Sequence, residues 1–99
     1  MINDHTRHIA VLTVNLYIPS AQSLKDKRMV LKSLKDKVRS KFNVSIAELY
    51  CEDKWQVATC GLSMIGNDQR YLDSCLQNIL SYIESMDGFE ISDHQLEFF

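Results

Sequence analysis

Between residues 9 and 98 the apolar positions change period four times, and each change marks the boundary of an element. Ile9-Ala10-Val11-Leu12-Thr13-Val14-Asn15-Leu16-Tyr17-Ile18 is rich in β-branched residues and stops at Pro19, which predicts a strand. Its even positions, Ala10, Leu12, Val14, Leu16 and Ile18, are all apolar. Its odd positions, Ile9, Val11, Thr13, Asn15 and Tyr17, are mixed. That alternation suits a sheet covered by helices on one side only.

After the loop Pro19-Ser20-Ala21-Gln22, Ser23 with Asp26 three residues on resembles a shortened capping box and predicts a helix start. Leu24, Leu31, Leu34, Val38 and Phe42 recur at helical spacing on one face, and Asn43 reads as a left-handed stop. Residues 44–51 and 55–65 predict two strands joined by the turn Glu52-Asp53-Lys54, a hairpin. Gly66-Asn67-Asp68 breaks the pattern. Leu72, Cys75, Leu76, Ile79, Leu80, Ile83 and Met86 then form the apolar stripe of a second helix that ends at Asp87-Gly88. Residues 89–98 predict a fourth strand whose polar middle, Asp93-His94-Gln95, suits a sheet edge.

The order is βαββαβ. With right-handed crossovers it closes as an α+β, ferredoxin-like sandwich: a four-stranded antiparallel sheet in the order 4-1-3-2 with both helices on one face. Ninety-nine residues are enough for one such domain, with residues 1–8 read as a flexible tail. The apolar share of 45% and charged share of 24% are those of a chain that folds. No apolar run is long enough for a membrane span, and the start lacks a signal-peptide pattern, so a soluble cytoplasmic protein without a membrane partner is expected. Cys51, Cys60 and Cys75 form no C-x-x-C pair and read as small buried hydrophobes rather than a disulfide framework or zinc site.

The net charge of −2 conceals an asymmetry. Residues 21–41 carry eight basic against two acidic side chains, a local charge of +6; residues 48–99 carry two basic against ten acidic, a local charge of −8. Lys25, Arg28, Lys32, Lys35 and Arg39 are spaced 3, 4, 3 and 4 residues apart, which places them in a helical stripe about 80° wide. Such a row matches a phosphate backbone; against it stands the plain reading of a solvated helix face. Asp36 flanks the row without interrupting it, and Glu-to-Lys pairs at i,i+4 are missing.

The blocks Ser23-Leu24-Lys25-Asp26-Lys27-Arg28, Leu31-Lys32-Ser33-Leu34 and Lys41-Phe42-Asn43-Val44-Ser45-Ile46-Ala47-Glu48 resemble the signature of the YlxP-like family of small bacterial proteins of unknown function. Trp55-Gln56 followed by Ala58, and Asn67-Asp68 before the second helix, extend the likeness from about Ile9 onward. The resemblance implies a ferredoxin-like fold and a bacterial cytoplasmic setting, with genes near those for translation and ribosome maturation. It supplies no catalytic residues. Val57 and Cys60 stand where a basic residue and a larger aliphatic one are expected, so no charge is placed on that strand.

The expected function is therefore a non-enzymatic accessory protein that binds ribosomal or structured RNA through Lys25, Arg28, Lys32, Lys35 and Arg39. It is expected to dimerise through the uncovered sheet face, where Val11, Tyr17, Ile46, Tyr50, Trp55, Val57 and Ile65 are placed. The alternative is a homo-oligomeric structural or small-molecule-sensing domain that binds no nucleic acid. No catalytic residue, cofactor or metal site is assigned. Asp93 and His94 point to opposite faces, and Glu48, placed near Thr59, reads as an edge or interface carboxylate. The third strand lacks the aromatic residues on which an RRM stacks bases. The Pro19–Ser23 loop offers an anion site beside Lys25, Lys27 and Arg28, but its role as a helix cap accounts for Ser23 equally well.

Overall fold

A computed structural model describes residues 6–50 and 54–99. Its elements are β1 (His8–Tyr17), α1 (Leu24–Lys41), β2 (Ser45–Glu48), β3 (Val57–Gly66), α2 (Gln69–Glu84) and β4 (Glu90–Phe98). The strands form one antiparallel sheet in the order β2-β3-β1-β4, which is the ferredoxin-like arrangement predicted, with β4 on an edge. β1 begins at His8, already opposite Gly66. Residues 1–5 of the expected tail and the turn residues Glu52 and Asp53 lie outside the described residues, as does Cys51.

The alternation of β1 organises the packing. Ala10, Leu12, Val14, Leu16 and Ile18 are at most 1% exposed and form the floor of the core. Leu31, Leu34 and Val38 of α1 and Leu72, Leu76, Ile79, Leu80 and Ile83 of α2 press onto them. Each fully buried aliphatic side chain of this kind contributes about 1.5–3 kcal/mol. The odd positions of β1 stay on the uncovered side of the sheet.

Both helix starts are capped by side chains: Ser23, as the sequence predicts, and Asp68, which the sequence reading took only as part of a break. Ser23 Oγ accepts from the Asp26 amide at 3.0 Å, and the Asp26 carboxylate in turn accepts from the Gln22 amide at 3.0 Å. Asp68 Oδ1 accepts from the Arg70 amide at 3.0 Å. The end of α1 differs from expectation. Asn43 is not left-handed; Phe42 closes the helix in extended conformation (φ −129°, ψ 145°), its amide donating to Val38 O. With β2 only a few residues away the chain must leave the helix already extended, and a left-handed residue would turn it aside.

Two details of the sheet also depart from the sequence pattern. β2 is four residues long, and Ile46 pairs with Leu62, so Ile46 is buried under the helices instead of lying on the uncovered face. A one-residue slip exchanges the faces of a strand, and in this short segment the alternation is too weak to choose between them. Glu48 correspondingly lies opposite Cys60, while Thr59 O accepts from the Leu49 amide at 2.8 Å. In β4 the register shifts as Asn15 pairs with Asp93 and Leu16 with Ile91, leaving Ser92 as the extra residue; its hydroxyl donates to Asn15 O at 3.2 Å. This bulge lets Ile91 join Leu96 and Phe98 on the core side although their sequence parity differs.

Gly88, after α2, has φ +100° and open space around it. Replacing it with Ala is expected to lower unfolding free energy by about 1 kcal/mol, purely from backbone strain. Gly88→Asn should cost less. Urea denaturation of both variants beside the parent chain checks the ranking.

Candidate functional site

Helix α1 carries eight basic residues, and the structure sorts them by what each touches. Lys27 is only 3% exposed. Its Nζ donates to Lys54 O at 2.9 Å and lies 3.6 Å from Glu48 Oε2, tying the helix to β2 and to the segment leading into β3. Lys41 sits 4.4 Å from the centre of the Tyr82 ring, and Tyr82 meets Phe42 edge to face at 5.5 Å between centroids. These two cations belong to the architecture. The position of Lys27 was signalled in the sequence: it fills the gap between Leu24 and Leu31 in the buried period, where an apolar residue would otherwise stand.

The five stripe residues do not share one environment. Lys32 is exposed and paired with the Asp36 carboxylate at 2.9 Å, which holds that carboxyl below its ordinary range through the hydrogen bond and the adjacent charge. An i,i+4 pair is therefore present in the Lys-to-Asp order, the less favourable one, and the row has no Glu-to-Lys pair. Arg39 donates from Nη2 to Ile46 O at 2.9 Å. Since the Leu49 amide bonds toward β3, ladder alternation turns the N–H and C=O of Ile46 outward, and Arg39 covers that carbonyl of an open edge. Lys25, Arg28 and Lys35 make no hydrogen bond or ion pair with any described residue; Lys25 and Arg28 are exposed and Lys35 half-buried. The row runs along the flank of α1 that borders β2, away from α2, which faces the side carrying Lys41.

The Pro19–Ser23 loop is closed by its own helix. The Asp26 carboxylate takes the Gln22 amide, so a negative group already occupies the position offered to an anion. Glu48, with its partner Lys27, is a structural carboxylate at the edge of the core. Beside it the Cys60 thiol is fully buried and pushed up to about 11, first by burial and then by the Glu48 charge. Cys75 is half-buried, contrary to expectation, and its hydrogen bond raises the Tyr71 hydroxyl above the usual phenol range. Asp93 accepts from the backbone amide of His94 at 2.8 Å and does not engage its ring. Among the described residues no cluster of three metal-ligating side chains occurs.

The uncovered sheet face is polar at its centre and apolar at both ends. Thr59 donates to Asn15 across the two middle strands at 2.9 Å. Ile9 and Ile65 pair at one end, Tyr17 and Val57 at the other. Tyr17 is the sole aromatic residue on this face of β1 and β3, which is too few for an RRM-type stacking surface. The Leu49 side chain, which the sequence reading missed, lies across Gly61: a Cβ built there would come 3.0 Å from both Leu49 methyl carbons.

Fold and side chains together define an open-faced ferredoxin-like α+β domain with a cationic helix flank. The chain belongs to the family described as "Protein of unknown function (DUF503)", whose model matches residues 9–96. It is 37% identical over 82 residues to the uncharacterized protein YlxP of Bacillus subtilis (strain 168), covering 83% of this chain and 89% of that protein. The de novo designed protein Foldit4 shares the fold, with a TM-score of 0.54 at 12% identity over 94% of this chain and 96% of the other. No described helix is long and apolar enough to cross a membrane.

Removing the Lys27 charge strands Glu48 and the Lys54 carbonyl. Lys27→Met is expected to cost about 1–3 kcal/mol, less than for a fully enclosed pair because Glu48 keeps contact with water. Equilibrium urea unfolding reads it. For Cys60 the unfolded thiol ionises near 9 and the folded one near 11, so its contribution is intact below pH 9 and is lost as pH rises toward 11. The Cys60→Ala variant should show a shallower loss of stability over that window than the parent, by up to about 2–3 kcal/mol.

Proposed function

We propose that this protein is a non-enzymatic, cytoplasmic accessory protein that binds the phosphate backbone of structured RNA, ribosomal RNA included, through the outer flank of α1. The observation that carries this reading is the division of labour among the cations of the helix. Lys27, Lys32, Arg39 and Lys41 have partners within the chain, whereas Lys25, Arg28 and Lys35 stand on one flank without a described partner; the eighth cation, Lys37, also has none and lies apart from the row, beside Met86 and Phe89. From Lys25 to Arg39 the row spans about 21 Å at 1.5 Å per residue, a rigid line of positive charge. Unpaired like charges at this spacing repel one another, and a polyanion relieves that repulsion. The scarcity of aromatic residues on the central strands favours contact with backbone phosphates over stacking on unpaired bases.

Charge reversal tests the reading. Lys25→Glu, Arg28→Glu and Lys35→Glu together should abolish binding to a fluorescently labelled 16-base-pair RNA hairpin, with the circular dichroism spectrum unchanged. In the parent chain, the logarithm of the affinity should fall with the logarithm of salt at a slope of about −3, one phosphate for each of these cations. A parent chain that fails to bind the duplex and purified ribosomal particles at low salt would sink the proposal.

A further inference from the structure

We propose that the uncovered face of the sheet is a docking surface for a second copy of this chain, with the two sheets stacked face to face about a two-fold axis that runs along the strands. The face has the necessary extent. Strands of 4, 10, 10 and 9 residues in the order β2-β3-β1-β4 cover roughly 520 Å² per copy at about 3.3 Å per residue and 4.8 Å between strands, about 1,000 Å² for the pair, at the lower bound for a specific interface. Its apolar side chains are placed for mutual cover. Ile65 is 66% exposed and Ile9 37%, side by side at one end; Tyr17 and Val57 are 40% and 37% exposed, side by side at the other.

Charge selects the orientation. Glu90, Asp93 and Glu97 of β4 are all exposed and pair with Tyr17, Asn15 and Val11, which puts them on the uncovered face along one margin. A two-fold axis across the strands would lay β4 on the β4 of the second copy and oppose these carboxylates to one another. An axis along the strands avoids this. It lays β4 over the second copy's β2, whose face positions Ser45, Ala47 and Leu49 carry no charge and whose edge Arg39 reaches.

The same axis places β1 over β3 at unchanged height along the strands. Ile9 then meets Ile65 of the second copy, and Tyr17 meets its Val57. Gly61 borders a shallow hollow of about 230 Å³ with Val11, Ala47 and Leu49, and falls opposite Thr13 of the second copy. Stacked sheets sit about 10 Å apart with their strands within about 30° of parallel, which these small central residues permit. The helices stay on the outside, so the assembly presents two α1 flanks facing away from each other.

Sedimentation velocity on the intact chain tests the stacking independently of any RNA. The expected species is twice the 11.5 kDa chain mass at micromolar concentration. Ile65→Lys and Val57→Lys, each in a side chain that is exposed in the single copy, should each weaken the dimer about tenfold or more with an unchanged circular dichroism spectrum. The charge-reversed α1 variant should remain dimeric. For the orientation, chains carrying Ile9→Cys and chains carrying Ile65→Cys should be joined by a short bismaleimide when mixed, a reach suited to sheets about 10 Å apart, and neither should be joined when alone, beyond the parent background. A parent chain that sediments as a monomer, a dimer unaffected by both lysine variants, or cross-linking that does not require the mixture would each overturn the proposal.

Discussion

Everything in this fold depends on the requirement that β1 be buried on one side only. As an inner strand it must pair on both edges, with β3 and β4, and its uninterrupted even-numbered apolar row demands a cover that only the two helices supply. Two helices are enough for one face of a four-stranded sheet and no more. The second face therefore remains open, and the amino acids there are a compromise between solubility and contact: Thr13, Asn15, Thr59 and Ser63 at the centre, apolar pairs toward the ends.

The covering helices have different tasks. α2 is an ordinary amphipathic element whose apolar stripe is matched to β1 and β3. α1 holds a lysine in its buried row, and Lys27 is tolerated there because its ammonium reaches both a carbonyl and a carboxylate at the sheet edge. That arrangement makes Glu48 and the Lys54 segment part of the helix-sheet junction. It also accounts for the chemistry of Cys60, which is buried beside a negative charge and is thereby kept a neutral thiol. Acid, base and thiol stand close together here, but each is accounted for by packing, and Lys25, Arg28 and Lys35 on the flank of the same helix are left without a described partner.

The two proposed surfaces are compatible because they lie on opposite layers. Binding through Lys25, Arg28 and Lys35 on the helix layer and self-association on the sheet layer use different side chains, with Arg39 at the β2 edge the one cation that both approach. A stacked pair would double the number of cationic flanks and, by presenting them on opposite sides, would favour a partner that offers two phosphate tracks or two molecules of one partner.

The sequence by itself determined the element order, the strand neighbours, the helix cap at Ser23, and the position of the basic row, because these rest on periodicity, short-range chemistry and the handedness of crossovers. Tertiary structure alone decided which face β2 presents, how β4 reconciles Ile91 with Leu96 and Phe98 through a bulge at Ser92, and which cations are free. Those outcomes depend on register and on partners distant in the chain. Lys27 and Lys25 are two residues apart and chemically identical, yet 100° per residue puts one against Glu48 in the core margin and the other in water. Composition counts both as the same charge; only the packing of α1 on the sheet separates them.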